Sequence, residues 1–135
     1  MTSLPSQLDP NASMRVLLTE DCPADALLIQ NLMRADCAVT VTATLTETVA
    51  LCAREQFDIV LLDLFLPDSR GLDTLTQFQA LHPELPILVM SGLDDEHTAV
   101  AAVHAGAQDY LVKGQMDAAL LQRAMRYATE RKHVE

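Results

Sequence analysis

Five polar side chains stand where short apolar runs end: Glu20 and Asp21 after Val16-Leu17-Leu18, Asp63 after Ile59-Val60-Leu61-Leu62, Ser91 after Ile87-Leu88-Val89-Met90, and Lys113 after Tyr110-Leu111-Val112. Such runs read as strands buried on both faces of a parallel sheet. Open α/β sheets bind ligands outside the carboxyl ends of their strands, so these are the positions where chemistry would sit. With strand order 2-1-3-4-5, Glu20, Asp21 and Asp63 meet at the point where the strand order reverses. Three adjacent carboxylates cannot all ionise comfortably without a cation. Their oxygen-only donors suit Mg2+, which keeps several waters and binds through one or two carboxylates. Asp21 and Asp63 are expected to bind it directly, Glu20 through water, and the backbone carbonyl of Phe65 to be a further ligand. Lys113, Ser91 and the adjoining Gly92 complete a cage for a phosphoryl group. Asp63 is the nucleophile of that cage, giving an aspartyl phosphate. Metal and lysine neutralise the equatorial oxygens during an in-line transfer.

Taken singly, each residue has an ordinary explanation. Asp63 could equally be a cap or turn residue. Glu20-Asp21 could be a helix-start pair favoured by the dipole. Ser91 could be a turn residue, and Lys113 a solvated surface charge. Their conjunction in this order carries the chemical reading.

The elements that must position them follow from periodicity. Pro23 suits the first turn of a helix in which Leu27, Leu28, Leu32 and Ala35 recur at helical spacing. A short alternating strand surrounds Val39 and Val41. Thr46 is expected to cap a helix through Arg54, with Val49, Ala50 and Ala53 inward. After the Asp63 strand, Pro67-Asp68-Ser69-Arg70-Gly71 is turn chemistry. Leu72, Leu75, Phe78 and Leu81 mark the next helix. Asp94 and Asp95 open one to about His104, with Ala99, Val100 and Val103 inward, and Gly106 ends it. The last helix runs from about Gln115, with Met116, Leu120, Leu121, Ala124, Met125 and Ala128 as its stripe. Five strands thus alternate with five helices, which predicts an α/β flavodoxin-like fold with helices on both faces of a parallel sheet.

The 135 residues suit one domain, with a loose polar arm over 1–13, the domain over 14–131, and residues 132–135 as the end of the last helix or the start of a linker. The core is aliphatic, because half the residues are hydrophobic but only 4% aromatic. A net charge of −10 argues against nucleic acid and anionic membrane as partners. No apolar run approaches the ~20 residues of a membrane helix. The N-terminus carries no secretory pattern. Cys22, Cys37 and Cys52 read as reduced thiols of a cytoplasmic protein rather than as a metal site.

Over Met14 to about Arg131 the chain resembles a response-regulator receiver domain of two-component phosphorelay signalling. The matching motifs are Leu18-Thr19-Glu20-Asp21, Leu61-Leu62-Asp63-Leu64-Phe65-Leu66-Pro67, Met90-Ser91-Gly92 and Gly106-Ala107-Gln108-Asp109-Tyr110-Leu111-Val112-Lys113. The resemblance implies that Asp63 accepts phosphate from a phosphohistidine on a sensor histidine kinase or histidine phosphotransfer domain. It implies that Glu20 and Asp21 hold Mg2+, that Ser91 turns inward to the phosphoryl group, and that Tyr110 is a switch aromatic that buries itself when Ser91 moves. Without that resemblance Tyr110 reads as a half-buried strand residue with its hydroxyl in water.

Two positions depart from the family's habits. Many members follow the lysine with a cis proline, whereas here Gly114 follows. Phe65 and Leu93, which flank the path of the attacking water in the family, are both apolar. They predict a shielded, long-lived phosphoryl group. The competing reading is a phosphatase with an aspartyl nucleophile acting on small phosphoesters. Such an enzyme needs a general acid two residues after its nucleophile, and here that residue is Phe65. It also needs a cap insertion, which the chain lacks. A degenerate receiver acting only as a binding module would lack an acid, the acceptor or the lysine, and all are present. The expectation is therefore a signalling domain and not a turnover enzyme, with self-phosphorylation and slow autodephosphorylation its only reactions. The resemblance implies a relay or homodimer face on the fourth helix, fifth strand and fifth helix. On the last helix Arg123, Arg126, Arg131 and Lys132, with Glu130 among them, read first as a solvated face, with a dimer or partner face as the alternative. The segment from Arg123 to Lys132 resembles the link by which some receivers run into a following helix, as in a module of a larger protein.

Overall fold

Apolar side chains alternate between the two faces of one parallel sheet. The computed structural model describes residues 14–134. The arm expected over residues 1–13, and Glu135, lie outside the described residues. In chain order the elements are β1 (Met14–Thr19), α1 (Pro23–Leu32), β2 (Cys37–Thr42), α2 (Leu45–Cys52) and β3 (Ile59–Asp63). A hairpin of β4 (Phe65–Leu66) and β5 (Ser69–Arg70) follows, then α3 (Leu72–Leu81), β6 (Ile87–Ser91), α4 (Glu96–His104) and β7 (Asp109–Val112). A 3-10 turn over Lys113–Gln115 leads into α5 (Ala118–Val134).

The sheet order is β2-β1-β3-β6-β7, all parallel, which is the expected 2-1-3-4-5 once the hairpin strands are set aside. Val16, Leu18, Ile59, Leu61, Leu88, Met90 and Leu111 pack on one face with α1 and α5. Leu17, Val60, Leu62 and Val89 pack on the other with α2, α3 and α4. The central strands β3 and β6 are buried along their whole length. This explains why their sequences are unbroken apolar runs rather than alternating ones.

Helix faces and caps depart from expectation in three places. In α1 the buried side chains are Ala26 and Ile29, joined by Met33 just past the helix, while Leu27 and Leu28 are exposed and Ala35 lies beyond the element. Bulk did not select the face. The strand-to-helix connections fix which side meets the sheet, and small Ala26 lets the helix approach closely.

The N-cap of α2 is Thr44, not Thr46. The Glu47 amide donates to Thr44 Oγ1 at 3.0 Å, and Glu47 Oε1 accepts the Ala43 amide at 2.8 Å. The inward residues are Leu45, Thr48 and Leu51, and Ala50 and Ala53 face solvent. In α4 only Ala102 is fully buried, and Val100 and Val103 are exposed. Gly106 ends that helix with φ 115°, a conformation that favours glycine.

The stretch read as a simple turn is the β4–β5 hairpin, pairing Phe65 with Arg70 and Leu66 with Ser69. All peptide bonds among the described residues are trans, that between Lys113 and Gly114 included. No helix among the described residues is long and apolar enough to cross a membrane.

Candidate functional site

The parallel register brings Glu20, Asp21, Asp63, Ser91 and Lys113 to one edge of the sheet. Pairing of β1 with β2 continues one residue past β1, where the Glu20 amide donates to the Thr42 carbonyl at 2.9 Å. Beneath this bond lies a triangle of buried hydroxyls from Thr19, Thr42 and Thr48. Thr48 Oγ1 lies 2.8 Å from that of Thr19 and 2.7 Å from that of Thr42, and donates to the Thr44 carbonyl at 2.9 Å. Each hydroxyl thus has a partner in an otherwise aliphatic layer, and the triangle ties the end of β1 to α2.

Asp63 is 3% exposed and Glu20 2%. Asp63 Oδ1 accepts the Phe65 amide at 2.9 Å, and Oδ2 accepts from Lys113 Nζ at 2.7 Å. Glu20 Oε2 accepts the Cys22 amide at 3.1 Å. Lys113 Nζ stands 2.6 Å from Glu20 Oε1 as an ion pair. This oxygen is buried, and the Lys113 ammonium is its partner. Asp25, on the first turn of α1, adds a third carboxylate 3.2 Å from Nζ. Sequence reasoning missed Asp25. Its place two residues after the helix-starting Pro23 was the available signal.

The electrostatics follow from crowding. Burial pushes the Glu20 carboxyl up to about 7, the Lys113 ammonium pulls it back, and the Asp63 charge adds to the rise. Burial alone would lower the Lys113 ammonium, but hydrogen bonding and charge from Asp63 and Glu20 outweigh it and hold the group above its ordinary value. Lys113 is thus the cation shared between two buried acids, Glu20 and Asp63.

Carboxylate oxygens of Glu20, Asp21 and Asp63 lie within 4.8 Å of one another, and Asp21 is the exposed member. Three carboxylates with oxygens this close, one of them open to solvent, fit a hard divalent cation such as Mg2+.

Ser91 is fully buried, and its Oγ accepts the Leu93 amide at 3.0 Å. Half-buried Tyr110 donates its hydroxyl to the Leu93 carbonyl at 2.7 Å. The peptide at Leu93 is therefore held on one side by Ser91 and on the other by Tyr110. Gly92 is exposed between them, and a side chain there would meet nothing within 4 Å. Phe65 is 39% exposed and Leu93 53%, on the two loops that adjoin Asp63 and Ser91.

Comparison with known proteins gives the family. The response regulator receiver domain family matches residues 16–125. The cell cycle transcriptional regulator CtrA of Caulobacter vibrioides is 37% identical over 101 residues, 74% of this chain and 44% of that protein. The transcriptional regulatory protein ZraR of Salmonella typhimurium is 33% identical over 99 residues, 73% of this chain and 22% of that protein. The chain therefore spans less than half the length of these curated relatives. In fold, the signal receiver domain of a putative Luxo repressor protein from Vibrio parahaemolyticus superposes with a TM-score of 0.80 at 24% identity, covering 90% of this chain and 93% of that one. Nothing in the site favours a phosphatase, since the position two after Asp63 is Phe65, which cannot move a proton. The chain belongs to the response-regulator receiver domains, the phosphoacceptor modules of two-component systems that signal by conformational change.

Proposed function

We propose that Asp63 takes a phosphoryl group from a phosphohistidine of a sensor histidine kinase or histidine phosphotransfer domain. The observation that carries this reading is the Lys113 ammonium shared by two buried carboxylates, Glu20 and Asp63. An Asp63 oxygen attacks phosphorus, the P–N bond breaks, and its electron pair stays on the imidazole. Glu20, Asp21, Asp63 and the Phe65 carbonyl would hold Mg2+, with Glu20 acting through water. When bound, the ion supplies positive charge to the attacking carboxylate and the phosphoryl oxygens. Lys113 exchanges its contact with Asp63 for one with the phosphoryl group, and Gly92 leaves room for the phosphoryl oxygens to approach the backbone.

Ser91 then gives up the Leu93 amide and turns its hydroxyl to the phosphoryl group. That frees one of the two ties on the Leu93 peptide and lets Tyr110 move. The surface that reads the change is α4, β7 and α5, where exposed Val100, Val103 and Tyr127 support a homodimer contact. The three half-buried free cysteines support a reducing, cytoplasmic setting, and the charge of −10 supports protein rather than nucleic-acid partners. The domain performs self-phosphorylation from a donor and slow autodephosphorylation, without turnover of an external substrate.

Phe65 and Leu93 shield the phosphoryl group from water. Acetyl phosphate is expected to label the domain only when Mg2+ is present, and p-nitrophenyl phosphate is expected not to be turned over. Phe65→Asn and Leu93→Glu are each expected to shorten the phosphoryl half-life several-fold, read by intact mass after donor removal. Unchanged half-lives in both variants would show that these side chains do not shield it. Steady hydrolysis of the phosphoester without a protein adduct would overturn the phosphoacceptor reading.

A further inference from the structure

The hairpin after Asp63 carries both the Phe65 amide that holds the acceptor and the Phe65 carbonyl assigned to Mg2+ in the reading above. Its strands are only two residues each, too short to hold position by pairing alone. Three ties fasten it. The Gly71 amide donates to the Leu64 carbonyl at 2.7 Å, closing the base. Ser69 Oγ lies 2.8 Å from Thr74 Oγ1, which in turn donates to the Leu64 carbonyl at 3.2 Å, joining the hairpin to α3.

The third tie spans 22 residues of sequence. At the turn, Asp68 Oδ1 accepts the Leu45 amide at 2.9 Å. Its Oδ2 accepts the Thr46 amide at 2.9 Å and the Thr46 hydroxyl at 2.7 Å. Helix α2 already has a local cap in Thr44, which takes the Glu47 amide. The Leu45 and Thr46 amides are otherwise free helix-start donors, and a carboxylate is their most favourable acceptor. The Thr46 hydroxyl adds a further donor, so one side chain at the hairpin tip takes three hydrogen bonds from a separate element. A solvated turn Asp would have no such set of partners.

We propose that Asp68 is a positioning residue for phosphorylation, tying the hairpin to α2 and thereby fixing the backbone of Phe65 against Asp63 and the metal site. The proposal rests on the reading of Asp63 as acceptor and of the Phe65 carbonyl as ligand. It also gives Thr46, misplaced as a cap, its role: it donates to Asp68. Because the Thr19–Thr42–Thr48 triangle anchors α2 to the Glu20 strand, Asp68 links the acceptor loop to the element that supports the acid pair.

The test compares Asp68→Ala, Thr46→Val and the control Thr44→Ala. The control weakens the start of α2 but leaves the hairpin tie intact. The readouts are hydrogen exchange at the Phe65 and Leu66 amides, Mg2+ half-saturation followed by thermal shift, and phosphoryl half-life. Asp68→Ala is expected to speed exchange and to raise the Mg2+ half-saturation, each by about five- to tenfold, and to shorten the half-life. Thr46→Val, which should fold even if Asp68→Ala does not, is expected to move each readout in the same direction by less. Thr44→Ala is expected to lower the melting temperature while leaving the other readouts within about twofold. Equal changes in Thr44→Ala, or wild-type values in Asp68→Ala and Thr46→Val, would overturn the proposal. A wild-type domain that takes no phosphoryl group would instead overturn the reading of the site, and exchange at Phe65 would still report whether the tie holds.

Discussion

Lys113→Met is expected to slow phosphoryl uptake at Asp63 by about 10²–10³-fold, the cost of removing one preorganised charge-stabilising donor from a transfer site. The methionine keeps most of the stem's bulk and deletes the charge. The ammonium lies within 3.2 Å of three carboxylates, two of them buried. Its loss leaves Glu20 and Asp63 side by side with no cation between them. Breaking a buried pair by removing one partner typically costs about 3–5 kcal/mol. Here the loss at pH 8 without metal should be about 2–3 kcal/mol, because Lys113 is partly exposed and water can reach the gap. At pH 5.5 the loss should be smaller, since a proton on Glu20 relieves the repulsion. Mg2+ should stabilise the variant more than the wild type, because the competing cation is gone. Urea unfolding at the two pH values, with and without Mg2+, checks this. Equal destabilisation at both pH values, with no added response to Mg2+, would show that Lys113 does not neutralise the acid pair.

The second large effect is a stability that falls as pH rises. The folded-state value of Glu20 lies near 7 against an ordinary 4.5. A carboxyl raised in this way favours the folded state while it is protonated, and that advantage is lost as pH climbs from about 4.5 through about 7. The change between pH 5 and pH 8 should be on the order of 2–3 kcal/mol without metal. Asp68 and Asp95, both held below their ordinary values, contribute in the opposite direction but only in more acid solution. The raised Lys113 loses its contribution only above its ordinary 10.5, well outside this window. Glu20→Gln should flatten the profile, and saturating Mg2+ should flatten it in the wild type. Melting temperatures measured from pH 5 to pH 8 decide the matter. A profile that rises with pH, or one that survives Glu20→Gln, would contradict the crowding described for this cluster.

The gathering of Glu20, Asp21, Asp63, Ser91 and Lys113 was legible in the sequence because a parallel sheet turns strand order into proximity. Each residue follows a buried run, and runs of that kind have one edge where their ends meet. The pattern does not itself give the strand order 2-1-3-4-5, which that reading takes as a premise and the sheet has. Helix faces were less legible. In α1 the larger Leu27 and Leu28 outweigh Ala26 by hydrophobicity, yet small Ala26 is the residue that fits against the sheet.

The α2 cap was readable and misread. Thr44-Leu45-Thr46-Glu47 has a capping spacing that Thr46 lacks. The ties that cross the fold left almost no local trace. Asp68 looks like any turn acid until α2 is placed beside it. Thr19, Thr42 and Thr48 look like ordinary strand and helix residues until three hydroxyls share one pocket. Asp25 reaches Lys113 across 88 residues, a distance no periodicity reports.

The central claim is that Asp63 is the phosphoacceptor, and intact mass after incubation with acetyl phosphate and Mg2+ tests it most directly. The wild-type chain should gain one phosphoryl group, about 80 Da, labile to hydroxylamine as an acyl phosphate is. Asp63→Asn should gain none while remaining folded. An Asp63→Asn chain that still gains the full mass, or a folded wild-type chain with Mg2+ that gains none, would contradict it.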